Sequence, residues 1–454
     1  MKKYELLPTQ ENLVDTLCED VFDRNKDLVY FYKILLAQDQ ACSIALDGKW
    51  GSGKTFFVRQ SDIIINACNP RSYIDNNLRN TVLTKLGISR NDNDFENSII
   101  SVYYDAWIND HDTEPIFSLI YEITKQICID FSISENNLLK VAGSILSTIS
   151  GYNLSGILET LNSEDPFTIF KKQKNIETDI RTFFTELLAE RGDRLVIFID
   201  ELDRCKPSFA VHLLEQLKHY ISDERITFVF SVNLEQLQHT VKHYYGINFD
   251  SCRYLDRFFD LRVSIPPVHI EDLYNDLGIN DQYYIDIIIR RVIIIFNLEL
   301  REISKFYSQI RVAIKKYLDE NRRIDTTFAD GKGRHFILLS IVPLLVGLKI
   351  ADNNIYYDFI SGQNSEPLIR LLSMERDFWP LNIMMNSNES FERLSECIHI
   401  TKEELINRVY NAIFVHEYTS MGEVITLGEC QFSIESKLFA LKVSSMMSKF
   451  ADLS

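Results

Sequence analysis

A chain of 454 residues exceeds one ordinary domain, so two folded units are expected, with enough length to bury a large core. Its 65 Asp and Glu against 48 Lys and Arg leave a formal net charge of −17, a surface that repels phosphate backbones and disfavours general nucleic-acid binding, although one basic patch could still attract them. Eight cysteines, at 18, 42, 68, 128, 205, 252, 397 and 430, form no close pair of the kind that clamps zinc or carries redox chemistry, which points to a reducing cytoplasm.

The first residues, Met1-Lys-Lys-Tyr-Glu, lead into polar sequence, so no signal peptide is expected. From Pro8 to Gln38 apolar residues recur among charges with a broken helical period (Leu13, Leu17, Val21, then Leu28, Tyr32, Leu35 and Leu36) and read as two helices leaning on a sheet. Cys42 to Leu46 predicts a strand, and it runs into a glycine loop. Gly48, Gly53, Lys54 and Thr55 satisfy the spacing G-x-x-x-x-G-K-[ST], and Gly51 adds a residue free to take positive φ. Such a loop wraps a polyphosphate. Its N–H groups and the following helix N-terminus would point at the β-phosphate, Lys54 would reach the β and γ oxygens, and the Thr55 hydroxyl would ligate magnesium. Trp50, Ser52 and Phe56 complete the candidate nucleotide contacts.

A helix is expected from Lys54 to about Ala67, then a polar excursion with a surface helix between Asn69 and Asn97, then a second strand from Ile99 to Tyr104. Leu195-Val-Ile-Phe-Ile-Asp-Glu-Leu-Asp-Arg204 is an unbroken apolar run ending in carboxylates, the pattern of a strand buried on both faces of a parallel sheet. An acidic pair after a strand, taken alone, equally suits a solvated turn; paired with the glycine loop, it sits where open α/β sheets bind ligands. Asp200 would then hold the magnesium shell through Thr55 and water, while Glu201 would polarise the water that attacks the γ-phosphate. Helix Phe209 to Ile221, strand Ile226 to Val232, helix Leu234 to Tyr244 and a last strand from Leu261 follow. Five strands joined by helices imply right-handed crossovers and a five-stranded parallel sheet of α/β class. Asn233, at the end of the fourth strand, suits either a γ-phosphate contact or the N-cap of the next helix. His239 and His243 lack a neighbouring acid and read as solvated surface.

At these motifs the chain resembles the KAP family of P-loop NTPases. The segment 48–55 looks like the family's phosphate loop, which usually carries a tryptophan before its second glycine, and 199–205 looks like its acidic box. Tyr104-Asp-Ala-Trp107, followed by Pro115, is similar to its Asn-Ala-Trp segment, with Asp105 in place of asparagine. Tyr254 to Asp260 and Ile265-Pro-Pro resemble the segment around the last sheet strand, so the likeness covers roughly 10–270. It implies a magnesium-dependent ATPase, with roles in bacterial defence against phage or in membrane-associated signalling complexes. Family members often insert spanning helices where Phe131 to Pro166 falls. Here Val141 to Leu158 is interrupted by Ser144, Ser147, Thr148, Ser150, Asn153 and Ser155, short of the about 20 mainly apolar residues a span needs, so no integral membrane segment is expected and the defence role is favoured. In ring-forming ATPases of this broad class, an arginine just before the last core strand reaches a neighbour's γ-phosphate. Arg253 and Arg257 both lie there, with Arg257 the better placed; an ion pair with Asp256 or Asp260 is the alternative.

From Val268 onward the reading is a mostly helical domain, with helices over Ile285–Phe296, Arg301–Leu318, Thr401–Phe414 and Ile434–Phe450, and a small hairpin around Gly428. Phe336 to Ile350 is apolar but shorter than a span and broken by Pro343 and Lys349, so a buried helix is expected. Arg301, Lys305, Arg311, Lys315, Lys316, Arg322 and Arg323 share one stripe of a helix opposite Ile303, Phe306, Ile310, Ile314 and Tyr317. That stripe suits a solvated face, or docking of an acidic partner or nucleic acid. Leu300-Arg-Glu-Ile303 further resembles a segment from which family members place an arginine near the nucleotide. The expected organisation is therefore N-terminal helices over 1–40, the NTPase core over 41–267 with a helical insertion at 131–170, and a helical domain over 268–454. The expected function is ATP binding and hydrolysis driving a conformational or oligomeric switch in a homo-oligomer, with an effector partner. The alternatives are a slowly hydrolysing nucleotide-gated scaffold and an ATP-driven nucleic-acid processor. No Asn/Thr-Lys-x-Asp guanine-reading segment is present, which leans toward ATP.

Overall fold

The computed structural model describes residues 7–88, 98–127, 168–220, 223–266, 270–280, 283–319, 331–373, 401–420 and 422–445. The chain divides into two compact units, residues 6–269 and residues 270–454 with 1–5.

The first unit is built on five parallel strands: β1 (Cys42–Asp47), β2 (Ile99–Asp105), β3 (Arg194–Asp200), β4 (Ile226–Val232) and β5 (Leu261–Ser264). Their order across the sheet is β2-β3-β4-β1-β5. The expected starts at 42, 99, 226 and 261 match, and β3 begins at Arg194, one residue before the reading, within the ordinary fraying of element ends. The period-2 alternation of strand side chains divides the core into two layers. Ile100, Val102, Ile197, Ile199, Phe228 and Phe230 face α5 (Pro115–Ile127), α6 (Thr168–Arg191) and α7 (Pro207–Tyr220). Ile44, Leu46, Val196, Phe198 and Val229 face α2 (Asn25–Leu36) and α3 (Lys54–Cys68). Here the two N-terminal helices, α1 (Gln10–Cys18) and α2, are found as read, and Leu28, Phe31, Tyr32 and Leu35 carry α2 into the core.

The polar excursion after α3 contains α4 (Asn76–Leu86). Asp75 caps its N-terminus by accepting from Asn77 N and Leu78 N, and Gly87 at φ 66° ends it. Residues 89–97 and the expected insertion from Phe131 to Pro166 lie outside the described residues. Strand order has one consequence for function: β4 lies between β1 and β3, so the glycine loop after β1 and the acids after β3 open onto one edge with the end of β4 between them.

The second unit is mostly helical. It contains α10 (Ile270–Leu277), α11 (Tyr284–Phe296), α12 (Leu300–Asp319), α13 (Gly331–Phe336), α14 (Val342–Ala351), α15 (Asn353–Ile360), α16 (Glu366–Ser373), α17 (Lys402–Tyr410) and α18 (Ile434–Ser444). The hairpin around Gly428 is present, pairing β6 (Ile425–Leu427) antiparallel with β7 (Cys430–Phe432). Lys332 to Ala351 is long and apolar enough, by length and composition, to cross a membrane, and most of it is buried inside the unit. It stays continuous through Pro343 because a wide π turn over Ile337–Ile341 sits just ahead of the proline, relaxing the ladder where its ring would meet the preceding carbonyl. On α12, Ile303, Phe306, Ile310 and Ile314 are buried while Arg301, Lys305 and Arg311 are exposed, as the amphipathic pattern requires. The side chains of Lys315, Lys316 and Tyr317, and Arg322 and Arg323 altogether, lie outside the described residues.

Candidate nucleotide-binding site

The glycine loop is shaped by its backbone. Gly51 and Gly53 take φ of 88° and 89°, values that side-chain-bearing residues adopt only under strain. Gly48 is needed for a different reason: a Cβ there would lie 2.7 Å from Ile265 Cγ2 and 2.9 Å from Ser52 Oγ. The Gly48 N–H donates to Val232 O at 3.2 Å, and the Asp47 carboxylate accepts from Leu234 N at 2.9 Å, so both the loop and the end of β1 are tied to the end of β4. Lys54 is buried at the start of α3 and donates from Nζ to the carbonyls of Gly48 (2.5 Å) and Lys49 (3.0 Å). Burial lowers its pKa, opposed by Asp203, Asp200 and Glu201. From outside the loop, Arg24 donates to Ser52 O (3.4 Å) and Pro266 O (3.0 Å), with its guanidinium 5.8 Å above the Phe57 ring. Arg24 Nε and Ser52 Oγ are buried with no hydrogen-bond partner. Phe56 is partly buried on the first turn of α3.

The acidic edge is built from side chains. Asp200 ends β3 on the face that α3 covers and is 1% exposed. Tyr103, on the neighbouring β2, donates its hydroxyl to Asp200 Oδ2 at 3.0 Å, and Arg59 lies 5.0 Å over the Tyr103 ring. Burial raises the Asp200 pKa, with neighbouring hydroxyls opposing the rise. The Ser231 hydroxyl, on the same face of β4, is fully buried and makes no hydrogen bond of sound geometry. Glu201 takes φ of 61°, an uncommon conformation for a residue with a side chain. Its N–H donates to Asp200 Oδ1 (3.0 Å) and Ser231 O (3.3 Å). Thr55 Oγ1 donates to Glu201 Oε1 at 3.4 Å, bringing the loop's helix and the acid pair together. Arg204 Nε lies 2.5 Å from Glu201 Oε2. Burial raises the Glu201 pKa to about 7, reinforced by Asp200, Asp203 and Asp105 and opposed by Arg204.

Trp50, in the loop, donates from its indole to Asp203 Oδ2 at 2.6 Å. Asn233 is the N-cap of α8 (Leu234–Tyr245), its side chain accepting from Gln236 N at 3.2 Å. His239 and His243 are exposed on that helix. Arg257 follows the short helix α9 (Ser251–Leu255) and is exposed; among the described residues its guanidinium makes no hydrogen bond or ion pair. Asp256 pairs instead with Arg262, and Asp260 accepts from Ser43 N at 2.8 Å. Arg301 lies in the other unit, as the second residue of α12.

The donor set suits magnesium. It is made of hard oxygens, the Asp200 carboxylate and the Thr55 hydroxyl, with the buried Ser231 hydroxyl beside Asp200, and no thiolate or imidazole among the described residues there. A small divalent cation that keeps water and takes oxygens from a phosphate needs only one or two protein ligands of this kind. Tyr103, Ser231, Arg24 and the Arg204 contact escaped the sequence reading. Arg204 stood in the quoted acidic box, and the others carry no local signal, since their partners lie far along the chain.

The strand order, the positive-φ glycine loop and the acids one strand beyond its neighbour define the nucleotide-binding architecture of a P-loop NTPase. The sequence profile of the KAP family P-loop domain matches residues 24–277, more than half of the 454, and the chain belongs to this family. It is also similar to an uncharacterized protein of Methanocaldococcus jannaschii, 34% identical over 76 residues; the match spans 17% of this chain and 38% of that protein's length. Among solved structures, the Aeropyrum pernix ORC2 protein, determined as ADPNP and ADP complexes, aligns over 91% of this chain and 96% of its own, with a TM-score of 0.28 and 11% identity.

Proposed function

We propose that the protein binds magnesium-ATP at the Gly48–Thr55 loop and hydrolyses it, using the energy to switch its conformation or its assembly with further copies of itself. The observation that carries this reading is the 3.4 Å contact between Thr55 Oγ1 and Glu201 Oε1, which joins the phosphate-binding helix to the acid pair from 146 positions away. In this reading the loop N–H groups and Lys54 hold the β- and γ-phosphates, Thr55 and Asp200 hold magnesium, and Glu201 orients and deprotonates the attacking water. Bound magnesium supplies charge neutralisation on the phosphate oxygens. Burial holds the Glu201 carboxyl above the usual carboxylate range, which makes its anion a better acceptor for the water's proton. Asn233 and, from a neighbouring subunit, Arg257 would supply polar and cationic contacts to the γ-phosphate.

For the larger setting we propose, by analogy with the family alone, a cytoplasmic ATPase component of a bacterial anti-phage system, acting on an effector protein. The test is phosphate release from the full chain, with and without DNA or RNA, beside the Glu201→Gln variant. Turnover should be independent of nucleic acid and fall by about 10² or more in the variant, while ATP stays bound. Wild-type turnover in Glu201→Gln would remove the base assignment, and strong stimulation by DNA or RNA would favour nucleic-acid processing. Sizing with and without a non-hydrolysable nucleotide tests the assembly.

A further inference from the structure

Arg204 is held on three sides. Its Nε meets Glu201 Oε2 at 2.5 Å, and its guanidinium carbon lies 5.8 Å from the Trp50 ring and 5.5 Å from the Trp107 ring. The two indoles come from different segments: Trp50 from the glycine loop, anchored through Asp203, and Trp107 from the turn after β2, where Asp105 accepts from Ile108 N at 3.0 Å. Both are conspicuously open, at 45% and 52% exposed, whereas the side chains they flank are not: Arg204 is 23% and Glu201 18% exposed. Leaving two indoles in water costs burial energy that ordinary packing would recover, so covering the cation is the gain that offsets it. The carboxylate itself is restrained twice, with Thr55 on Oε1 and Arg204 on Oε2. Two partners on two oxygens fix the carboxylate plane, which one partner alone leaves free to rotate.

We propose that Arg204 is a positioning residue for Glu201, braced by Trp50 and Trp107, so that the glycine loop and the β2 edge together set the orientation of the water-activating carboxylate. The inference rests on the proposed function for Glu201. Removing Arg204 frees Oε2 and with it the rotation of the carboxylate, so turnover should fall while nucleotide binding, which the glycine loop provides, holds. Because Trp50 belongs to the loop and flanks Arg204, its emission should also report on the contact without any turnover.

The experiment uses the full-length protein and four variants: Arg204→Gln, Arg204→Lys, Trp107→Leu and Glu201→Gln. In Arg204→Gln kcat should fall about tenfold or more, with affinity for a non-hydrolysable ATP analogue changed less than about threefold. Arg204→Lys should recover part of the loss, because an ammonium restores charge without the planar stack. Trp107→Leu, at an exposed position, should lower kcat by less, and it tests the bracing even should Arg204→Gln fail to fold. In the nucleotide-free protein at one fixed pH, tryptophan emission should differ between wild type and Arg204→Gln. Unchanged kcat in Arg204→Gln or Trp107→Leu, with Glu201→Gln inactive, overturns this inference alone. Unchanged emission in Arg204→Gln overturns it as well. Wild-type turnover in Glu201→Gln instead rejects the function assigned to that residue.

Discussion

The glycine loop and the acidic edge face the same site but are built in opposite ways. The loop is specified within eight residues: two glycines at positive φ, a third where a Cβ would strike Ile265, and a lysine folded over its own carbonyls. The edge is specified at long range. Asp200 depends on Tyr103, 97 positions earlier, Asp203 is bonded by Trp50, 153 positions earlier, and Glu201 meets Thr55 across 146. Backbone N–H groups and glycine conformations suit a polyphosphate, whose recognition needs only geometry, whereas water activation needs a carboxylate tuned by its neighbours. Lesions in the loop should therefore appear in nucleotide affinity, and lesions at the edge in turnover, pH dependence and metal requirement.

The largest effect that separates the two is Lys54→Ala. It removes the one side-chain charge of the loop aimed at the β- and γ-phosphates, so binding should be lost in a direct titration of ATP. Unchanged affinity would mean that the nucleotide is held elsewhere. Next comes Arg257→Ala, which touches neither region of its own subunit. If Arg257 acts in trans, turnover should fall on the order of 10³-fold with ATP binding intact. Mixing it with Lys54→Ala subunits should restore part of the activity; poor turnover without rescue would place the arginine in its own subunit, and normal turnover would remove it from the chemistry.

A smaller change probes a long-range support of the loop. Arg24 bridges Ser52 O and Pro266 O, and losing hydrogen bonds from a charged donor costs about 1.5 kcal/mol or more, roughly tenfold in nucleotide affinity if the loop must be reordered on binding. Arg24→Ala should show that loss as weaker binding with kcat little changed at saturating ATP. A fall in kcat with affinity intact would reverse the contrast between loop and edge.

How much of this could be read in the sequence follows from the same contrast. The loop and the five strands were legible because their information is local: a motif of fixed spacing, apolar runs such as Leu195 to Ile199, and Asn233 as an N-cap. Asp200 and Glu201 could be named for the same reason. Their surroundings could not, because strand register alone sets Asp105 opposite Asp200 and turns Tyr103 toward the face where Asp200 and α3 meet. A one-residue slip would send Tyr103 to the opposite layer. In the second unit the helices were legible from their period, but the π turn ahead of Pro343 was not, since a proline in an apolar run reads as a break.

The smallest effect tests the edge at its most hidden point. Tyr103 donates to Asp200 Oδ2 at 3.0 Å, one hydroxyl supporting a carboxylate whose pKa burial already raises. Tyr103→Phe keeps the ring that Arg59 covers and removes only that donor. Without it the ionised form loses a favourable contact, so the Asp200 pKa should rise further and the anion that a metal needs should be harder to form. The magnesium concentration for half-maximal hydrolysis should increase several-fold, most visibly at low pH and less as the pH is raised. Nucleotide affinity in the absence of magnesium should be unchanged, because the loop is untouched. A variant with the wild-type magnesium requirement at all pH values would mean that Tyr103 serves packing only. A variant that loses metal-free affinity would mean that the loop and the edge are not separable after all.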